Sequence, residues 1–277
     1  MQTAADSPAD ERGPSPGEAA EKAAAVRRMF GAVAPRYDLL NHLLSLNIDR
    51  RWRRKAVDRL LALSSPDAAA KPVHPPPRLR VDHLPAMARP EGVFLDSCAG
   101  TLDLAVELAT RSSFQGRVVA CDFTLPMLEH GVSKVRNLPI ALACADALRL
   151  PLADGSMDGA MVAFGVRNLA SIDAGLTEFA RVLKPGAPLV ILEFTTPGSQ
   201  PFRGLYLFYF RHLLPLIGRA LSRHRSAYTY LPASVDAFPS PAPLAQQIRA
   251  AGFDPVRWET LTGGVAAIHS GTRKGIT

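Results

Sequence analysis

The chain has 277 residues, 47% hydrophobic and 21% charged, with a net charge of +7 and an isoelectric point near 9.7. That is enough for one large core, or one core with an appended subdomain, while its longest apolar runs stop well short of the ~18 residues a membrane span needs. Cys98, Cys121 and Cys144 match neither a zinc spacing nor a disulfide framework, so a reducing, cytoplasmic setting is expected.

Residues 1–22 are rich in Ala, Pro, Gly and acids and lack the apolar stretch of a secretory signal. A disordered tail is expected there, followed by one domain over 23–277. From about Glu18 to Leu63 the pattern is helical: Val26, Met29, Phe30 and Val33 recur at three- and four-residue steps until Pro35 breaks the run. Two further apolar segments cover Leu39–Leu46 and Trp52–Leu63. Residues 64–90 hold seven prolines and read as a loop insertion.

Beyond it, strand-like runs at Val93–Ser97, Arg117–Cys121, Ile140–Cys144, Gly159–Phe164 and Pro188–Phe194 alternate with helical stretches. Asp103–Arg111, Leu125–Val135 and Ser171–Leu183 are those stretches. Apolar strands alternating with helices imply an α/β fold, a parallel sheet covered on both faces. Residues 203–221 and 242–251 read as helices, and Pro255–Leu261 and Gly264–Thr272 as closing strands joined at Thr262-Gly263.

Ligands of such sheets sit beyond the carboxyl ends of the strands. Three features fall there in order: the bend Asp96–Asp103, then Asp122 after VVAC, then Asp146 after ALACA. An acid closing the second strand suits a ribose diol, an acid closing the third suits an adenine amine, and amides at the bend meet the rest of the ligand. A dinucleotide and S-adenosylmethionine both fit this pattern. With Cys98 and Leu102 at the outer glycine positions and only Gly100 kept, a pyrophosphate cradle is poor, which favours the methyl donor.

Longer stretches then become recognisable: MFGAVAPRYDLLNHLLS (29–45), DRRWRRKAV (49–57), FGVRNL (164–169), RVLKPG (181–186), LEFTTP (192–197), AYTYLPASV (227–235) and LTGGVAAIHSG (261–271). With them the chain resembles the menaquinone/ubiquinone biosynthesis C-methyltransferase family. The resemblance implies a Rossmann-like, seven-strand, mostly parallel sheet with N-terminal and inserted covering helices. It implies S-adenosyl-L-methionine as cofactor, a polyprenyl quinol as partner and methyl transfer to a ring carbon, with demethylmenaquinol the favoured acceptor. Carried across, cofactor contacts fall at Asp96, Gly100, Thr101, Asp122, Asp146 and Ala147. The family bend reads roughly Gly-Gly-Thr-Gly-Asp where this chain has Ala99-Gly100-Thr101-Leu102-Asp103. Leu102 sits where the helix begins, a place leucine accepts if its φ and ψ are helical; its side chain either turns into the helix–sheet packing, the favoured reading, or narrows the pocket.

Carbon methylation of a quinol requires a route for a hydroxyl proton and a positive group near the resulting oxygen. Arg167 and Asn168, expected to point over the cofactor, and Tyr37 in APRYD are the candidates. No metal is expected. His269, alone in an apolar strand, reads as structural. The stretch 202–225 sets Leu205, Phe208, Leu213, Leu216 and Ile217 beside Arg203, Arg211, Arg219, Arg223 and Arg225. It is the expected contact with the inner face of the membrane, or a lid over the pocket. Oligomeric state is left open, a homodimer included. An inactive scaffold of the same fold is the alternative, motivated by the altered bend. A nucleic-acid methyltransferase ranks below both, because the chain lacks an Asn/Asp-Pro-Pro-Tyr motif for a flipped base.

Overall fold

The computed structural model describes residues 16–38, 45, 47–65, 92–198, 200, 202–208 and 225–275. Helix α1 spans Pro16–Val33 and therefore begins inside the stretch 1–22 assigned to a tail. Proline suits the first helical position because its missing N–H has no partner there, and the Ala-Glu-Lys composition that follows is strongly helix-forming. A 3-10 turn at Ala34–Arg36 ends it, with Pro35 inside the turn. Helix α2 is Ile48–Ser64. The proline-rich insertion and most of the Leu39–Leu46 segment lie outside the described residues.

Seven strands form one sheet in the order β3-β2-β1-β4-β5-β7-β6. They are β1 Val93–Ser97, β2 Arg117–Asp122, β3 Ile140–Cys144, β4 Gly159–Ala163, β5 Pro188–Phe194, β6 Arg257–Leu261 and β7 Ala266–Thr272. The first five pair in parallel, and β7 runs antiparallel between β5 and β6. The short β6–β7 connection turns through Thr262, Gly263 and Gly264, all with positive φ. The remaining helices are α3 Asp103–Ala109, α4 Leu125–Gly131, α5 Ile172–Val182, α6 Phe202–Phe208, α7 Arg225–Asp236 and α8 Pro241–Ala250.

Strand alternation sends neighbouring residues into two cores. Phe94 and Val190 join Trp52, Val57 and Leu60 of α2 and Leu104 and Leu108 of α3 on one face. Leu95, Leu189 and Ile191 join Leu176 and Phe179 of α5 and Leu244 and Ile248 of α8 on the other. With both faces covered, the parallel strands end together at one rim, and the first and fourth part there because β1 connects outward to β2 while β4 lies on its other side. That topological switch opens a crevice.

Candidate functional site

The crevice is a pocket at the carboxyl ends of β1, β2 and β4, with α1 and the turn after it as cover. Of the residues singled out in the sequence, Tyr37, Gly100, Asp122, Asp146, Ala147 and Asn168 line it. Ala23 and Phe30 of α1 precede Tyr37 at seven-residue steps, close to two helical turns each, so a single stripe of the N-terminal segment faces the pocket.

The bend has a regular backbone. Cys98, Gly100 and Leu102 have φ of 55°, 54° and 73°, alternating left-handed positions of the kind glycine occupies freely. Leu102 does not have the helical φ and ψ that would suit leucine; it immediately precedes α3 with φ 73° and ψ 12°. A non-glycine residue held there costs roughly 1–2 kcal/mol. Its side chain does pack into the core, fully buried and away from the pocket lining. Room comes from Gly131 at the end of α4, where an added Cβ would lie 2.8 Å from Leu102 Cδ1 and 2.7 Å from the Thr101 carbonyl oxygen.

Asp122 ties the bend to β2. Its Oδ2 accepts from the Gly100 amide at 2.9 Å and its Oδ1 from the Thr124 amide at 2.8 Å. Burial nevertheless raises its carboxyl above the usual range. Each oxygen keeps a second lone pair for a ligand. Asp146 accepts the Leu148 amide at 2.9 Å through Oδ1. The other predicted contacts lie behind the pocket. Thr101 is buried and its hydroxyl donates to the Asp38 carboxylate. Asp96 is buried beneath the bend, and neither carboxyl oxygen has a partner in hydrogen-bonding geometry among the described residues. Burial pushes it well above the usual carboxylate range, the Ala105 amide opposing this in part.

Arg167 and Asn168 diverge. They share the 3-10 turn Val166–Asn168 after β4, but only Asn168 lines the pocket. Arg167 turns into the protein, where Nη1 donates to Glu193 Oε1 at 2.6 Å and to the Phe164 carbonyl at 2.5 Å. Its guanidinium lies over the Phe194 ring, 5.3 Å from the centroid. The Phe164 carbonyl also takes the Asn168 side-chain amide at 3.2 Å. The guanidinium does not point over the pocket: a carboxylate near the end of β5 draws it inward, where the two charges compensate each other.

Two neighbours went unread in the sequence. Tyr230 donates from its hydroxyl to Asn168 Oδ1 at 3.0 Å. The stretch AYTYLPASV contains it, but no spacing rule connects positions 62 residues apart. Burial raises its hydroxyl above the usual phenol range, so it is a neutral donor near neutral pH. Glu193 is the other, hidden inside the apolar-looking run LEFTTP. His269 sits in the antiparallel strand away from the pocket, its Nε2 at 2.9 Å from the Pro241 carbonyl and its ring stacked on Trp258. Among the described residues no group of three or more His, Cys, Asp or Glu is placed to hold a metal.

The ubiE/COQ5 methyltransferase family matches residues 18–273. The chain belongs to this family. A demethylmenaquinone methyltransferase from Deinococcus radiodurans is 42% identical over 266 residues, covering 95% of this chain and 99% of that one. A ubiquinone/menaquinone biosynthesis C-methyltransferase UbiE from a Geobacter species is 43% identical, covering 91% and 98%. Among solved structures, a SAM-dependent methyltransferase from Thermotoga maritima superposes with a TM-score of 0.58 at 16% identity, covering 90% of this chain and all of that one, a likeness of fold. The ubiE/COQ5 chain is therefore a methyltransferase, and its pocket lies where this sheet places its ligands.

Proposed function

We propose that the protein transfers a methyl group from S-adenosylmethionine to a ring carbon of a polyprenyl quinol, with a demethylmenaquinol as acceptor. The observation that carries the reading is the family match over residues 18–273 together with relatives above 40% identity whose names specify quinone methylation.

The residues fit an adenosyl sulfonium. Asp122 and Asp146 line the pocket with acceptor capacity to spare, the first for the two hydroxyls of a ribose and the second for an adenine amine. Ala147, Leu148 and Leu169 supply apolar wall. Asp96 is buried beneath the bend and outside the pocket lining, so it acts on the site through the bend's backbone. When bound, the cofactor supplies an electrophilic methyl group.

The protein's part is to make the ring carbon nucleophilic and to aim it. A quinol hydroxyl that gives up its proton feeds charge into the ring, and orientation of that ring supplies several further kcal/mol. Asn168, at the pocket wall, is suited to hold one quinol oxygen. Tyr230 fixes the Asn168 amide by donating to its carbonyl, which leaves the amide nitrogen's second hydrogen for the substrate. Tyr37 closes the opposite side. Arg167 acts at one remove, by holding the Phe164 carbonyl that Asn168 also uses.

Tyr230→Phe is accordingly expected to lower turnover about tenfold, the worth of one positioned hydrogen bond, with cofactor affinity unchanged. Initial rates at saturating cofactor, with calorimetry alongside, measure both. The reaction itself is tested with purified protein and labelled methyl donor on naphthoquinol and benzoquinol acceptors side by side. Label on the naphthoquinol ring carbon supports the reading, and label on neither ring overturns it.

A quinol with an isoprenoid tail resides in a bilayer, so the protein must meet one. Arg203 and Phe208 of α6 are exposed, Phe208 by 55%, which supports contact at the cytoplasmic membrane face through 202–225. Residues 209–224 of that stretch lie outside the described residues, and no described helix is long and apolar enough to cross a membrane.

A further inference from the structure

Behind the bend, on the side away from the pocket, four segments meet in a chain of charges that the proposed reaction does not use. Asp38 follows Tyr37 directly and ends the described part of the N-terminal segment. One of its oxygens accepts the Thr101 hydroxyl, and the other pairs with Lys134 at 2.5 Å. Lys134, in the turn after α4, also pairs with Asp103 Oδ1 at 2.6 Å. Asp103 is the first residue of α3, and its second oxygen lies 3.7 Å from Arg53 of α2, which is itself paired with Asp49. The alternation of sign, Asp38, Lys134, Asp103, Arg53, Asp49, leaves every charge beside an opposite one.

Asp38 occupies the decisive place in this chain. Tyr37, Phe30 and Ala23 cover the pocket, and the segment that carries them is fastened at its carboxyl end by Asp38. What Asp38 grips is Thr101, which lies between two left-handed residues of the bend, Gly100 and Leu102. The pocket side of that bend is lined by Gly100, while Thr101 faces the latch. A peptide plane cannot turn on one side without turning on the other, so the same three residues answer to the ligand and to the cover. Although burial alone would raise the Asp38 carboxyl, Lys134 and Thr101 hold it below the usual range, consistent with a fixed negative charge.

We infer that Asp38 is a positioning residue that latches the pocket's cover to the cofactor bend, so that binding the cofactor and docking the α1 segment are one coupled event. The inference rests on the reading of this pocket as the cofactor site. Ala23 and Phe30 of α1 line the pocket from above, so a ligand of nucleoside size meets the cover as well as the bend. The Asp38–Thr101 and Asp38–Lys134 bonds are where the lifted and docked states differ in partners. A cofactor that orders the bend presents Thr101 to Asp38, and a docked Asp38 holds the bend in the form that the cofactor meets.

The test uses the full chain, S-adenosylmethionine and its product S-adenosylhomocysteine as probes, and two readouts besides turnover. Calorimetry gives affinity. Trypsin cleavage after the exposed Arg27 and Arg28 of α1 reports lifting of the cover. In the unaltered chain the cofactor is expected to slow that cleavage. Asp38→Ala is expected to weaken both probes at least tenfold and to remove most of the protection, with turnover at saturating cofactor reduced by a smaller factor. Thr101→Val is expected to act in the same direction, and Asp38→Ala with Thr101→Val no worse than Asp38→Ala alone, because Asp38→Ala already removes the bond that Thr101→Val removes. Asp38→Glu keeps the charge and is expected to recover part of the affinity. Additive losses in the double variant, or unchanged affinity in Asp38→Ala, overturn the latch alone. An unaltered chain that binds neither probe overturns the cofactor reading of the pocket and the latch with it. Should Asp38→Ala not fold, Thr101→Val and Asp38→Glu carry the same comparison.

Discussion

Glu193→Ala is expected to lower the free energy of unfolding by about 3–5 kcal/mol, the usual consequence of removing one partner from a buried ion pair. Glu193 is 1% exposed near the end of β5. Its carboxylate accepts from Arg167 Nη1 at 2.6 Å, from the Arg167 amide at 3.2 Å and from the Phe194 amide at 2.9 Å. Alanine leaves the guanidinium buried with no counter-charge, beside an Nε that already has no partner among the described residues. It also frees two amides. Chemical denaturation of the two proteins measures the difference, with the slope checked for two-state behaviour. Replacing both partners with methionine is expected to be far milder than Glu193→Ala, since desolvating the pair offsets most of its attraction. An equally large loss in the double variant would show that packing, and not charge pairing, explains the effect.

The same pair bears on catalysis. The motif FGVRN invites a direct role for Arg167 against a phenolate. A guanidinium already neutralised by a carboxylate at 2.6 Å has little field left to offer a second anion. Its worth lies in geometry: Arg167 and Asn168 converge on the Phe164 carbonyl, and Phe164 itself has φ 58°, a strained turn that needs such fastening. Arg167→Ala should therefore lower stability and turnover together, where Tyr230→Phe lowers turnover with little change in stability.

Much of the fold was legible because its signals are local. Short continuous apolar runs located the five parallel strands to within a residue, and acids closing β2 and β3 marked two pocket walls. The helical stripe of Val26, Met29, Phe30 and Val33 marked α1 from about Glu18, two residues inside its start at Pro16, while the Pro- and acid-rich composition of 1–22 read as a tail and hid that first turn. The partners of the site were not legible for a different reason. Glu193 and Arg167 lie 26 positions apart, Tyr230 and Asn168 lie 62 apart, and Asp38 and Thr101 lie 63 apart. Their pairing is a product of sheet order, which strand patterns do not encode. Leu102 is the instructive case: its place at the start of a helix would allow helical φ and ψ, while the bend imposes a left-handed conformation.

That conflict sets up the second large effect. Leu102→Gly sets relieved strain against lost packing. Glycine removes the strain of a left-handed leucine, roughly 1–2 kcal/mol. Against this, it deletes a fully buried side chain from the cluster of Leu104, Leu108 and Leu128, where truncation of a leucine costs about 2–5 kcal/mol. The lost packing outweighs the relieved strain, and a net loss of about 1–3 kcal/mol is expected despite the return of the glycine that the bend's backbone prefers. Cofactor affinity should hardly change, because the side chain points toward Gly131 and not into the pocket. Gly131→Ala is the complement. Alone, its methyl meets Leu102 Cδ1 at 2.8 Å and the Thr101 carbonyl at 2.7 Å, and it should destabilise. In Leu102→Gly the leucine contact is gone, so adding Gly131→Ala should cost less than it does in the unaltered chain. Unfolding free energies of the four proteins give the coupling between the two positions directly. Strict additivity would mean that residue 131 is small for reasons unrelated to residue 102. A marked gain in stability from Leu102→Gly alone would mean that strain in the bend exceeds the packing that the leucine provides.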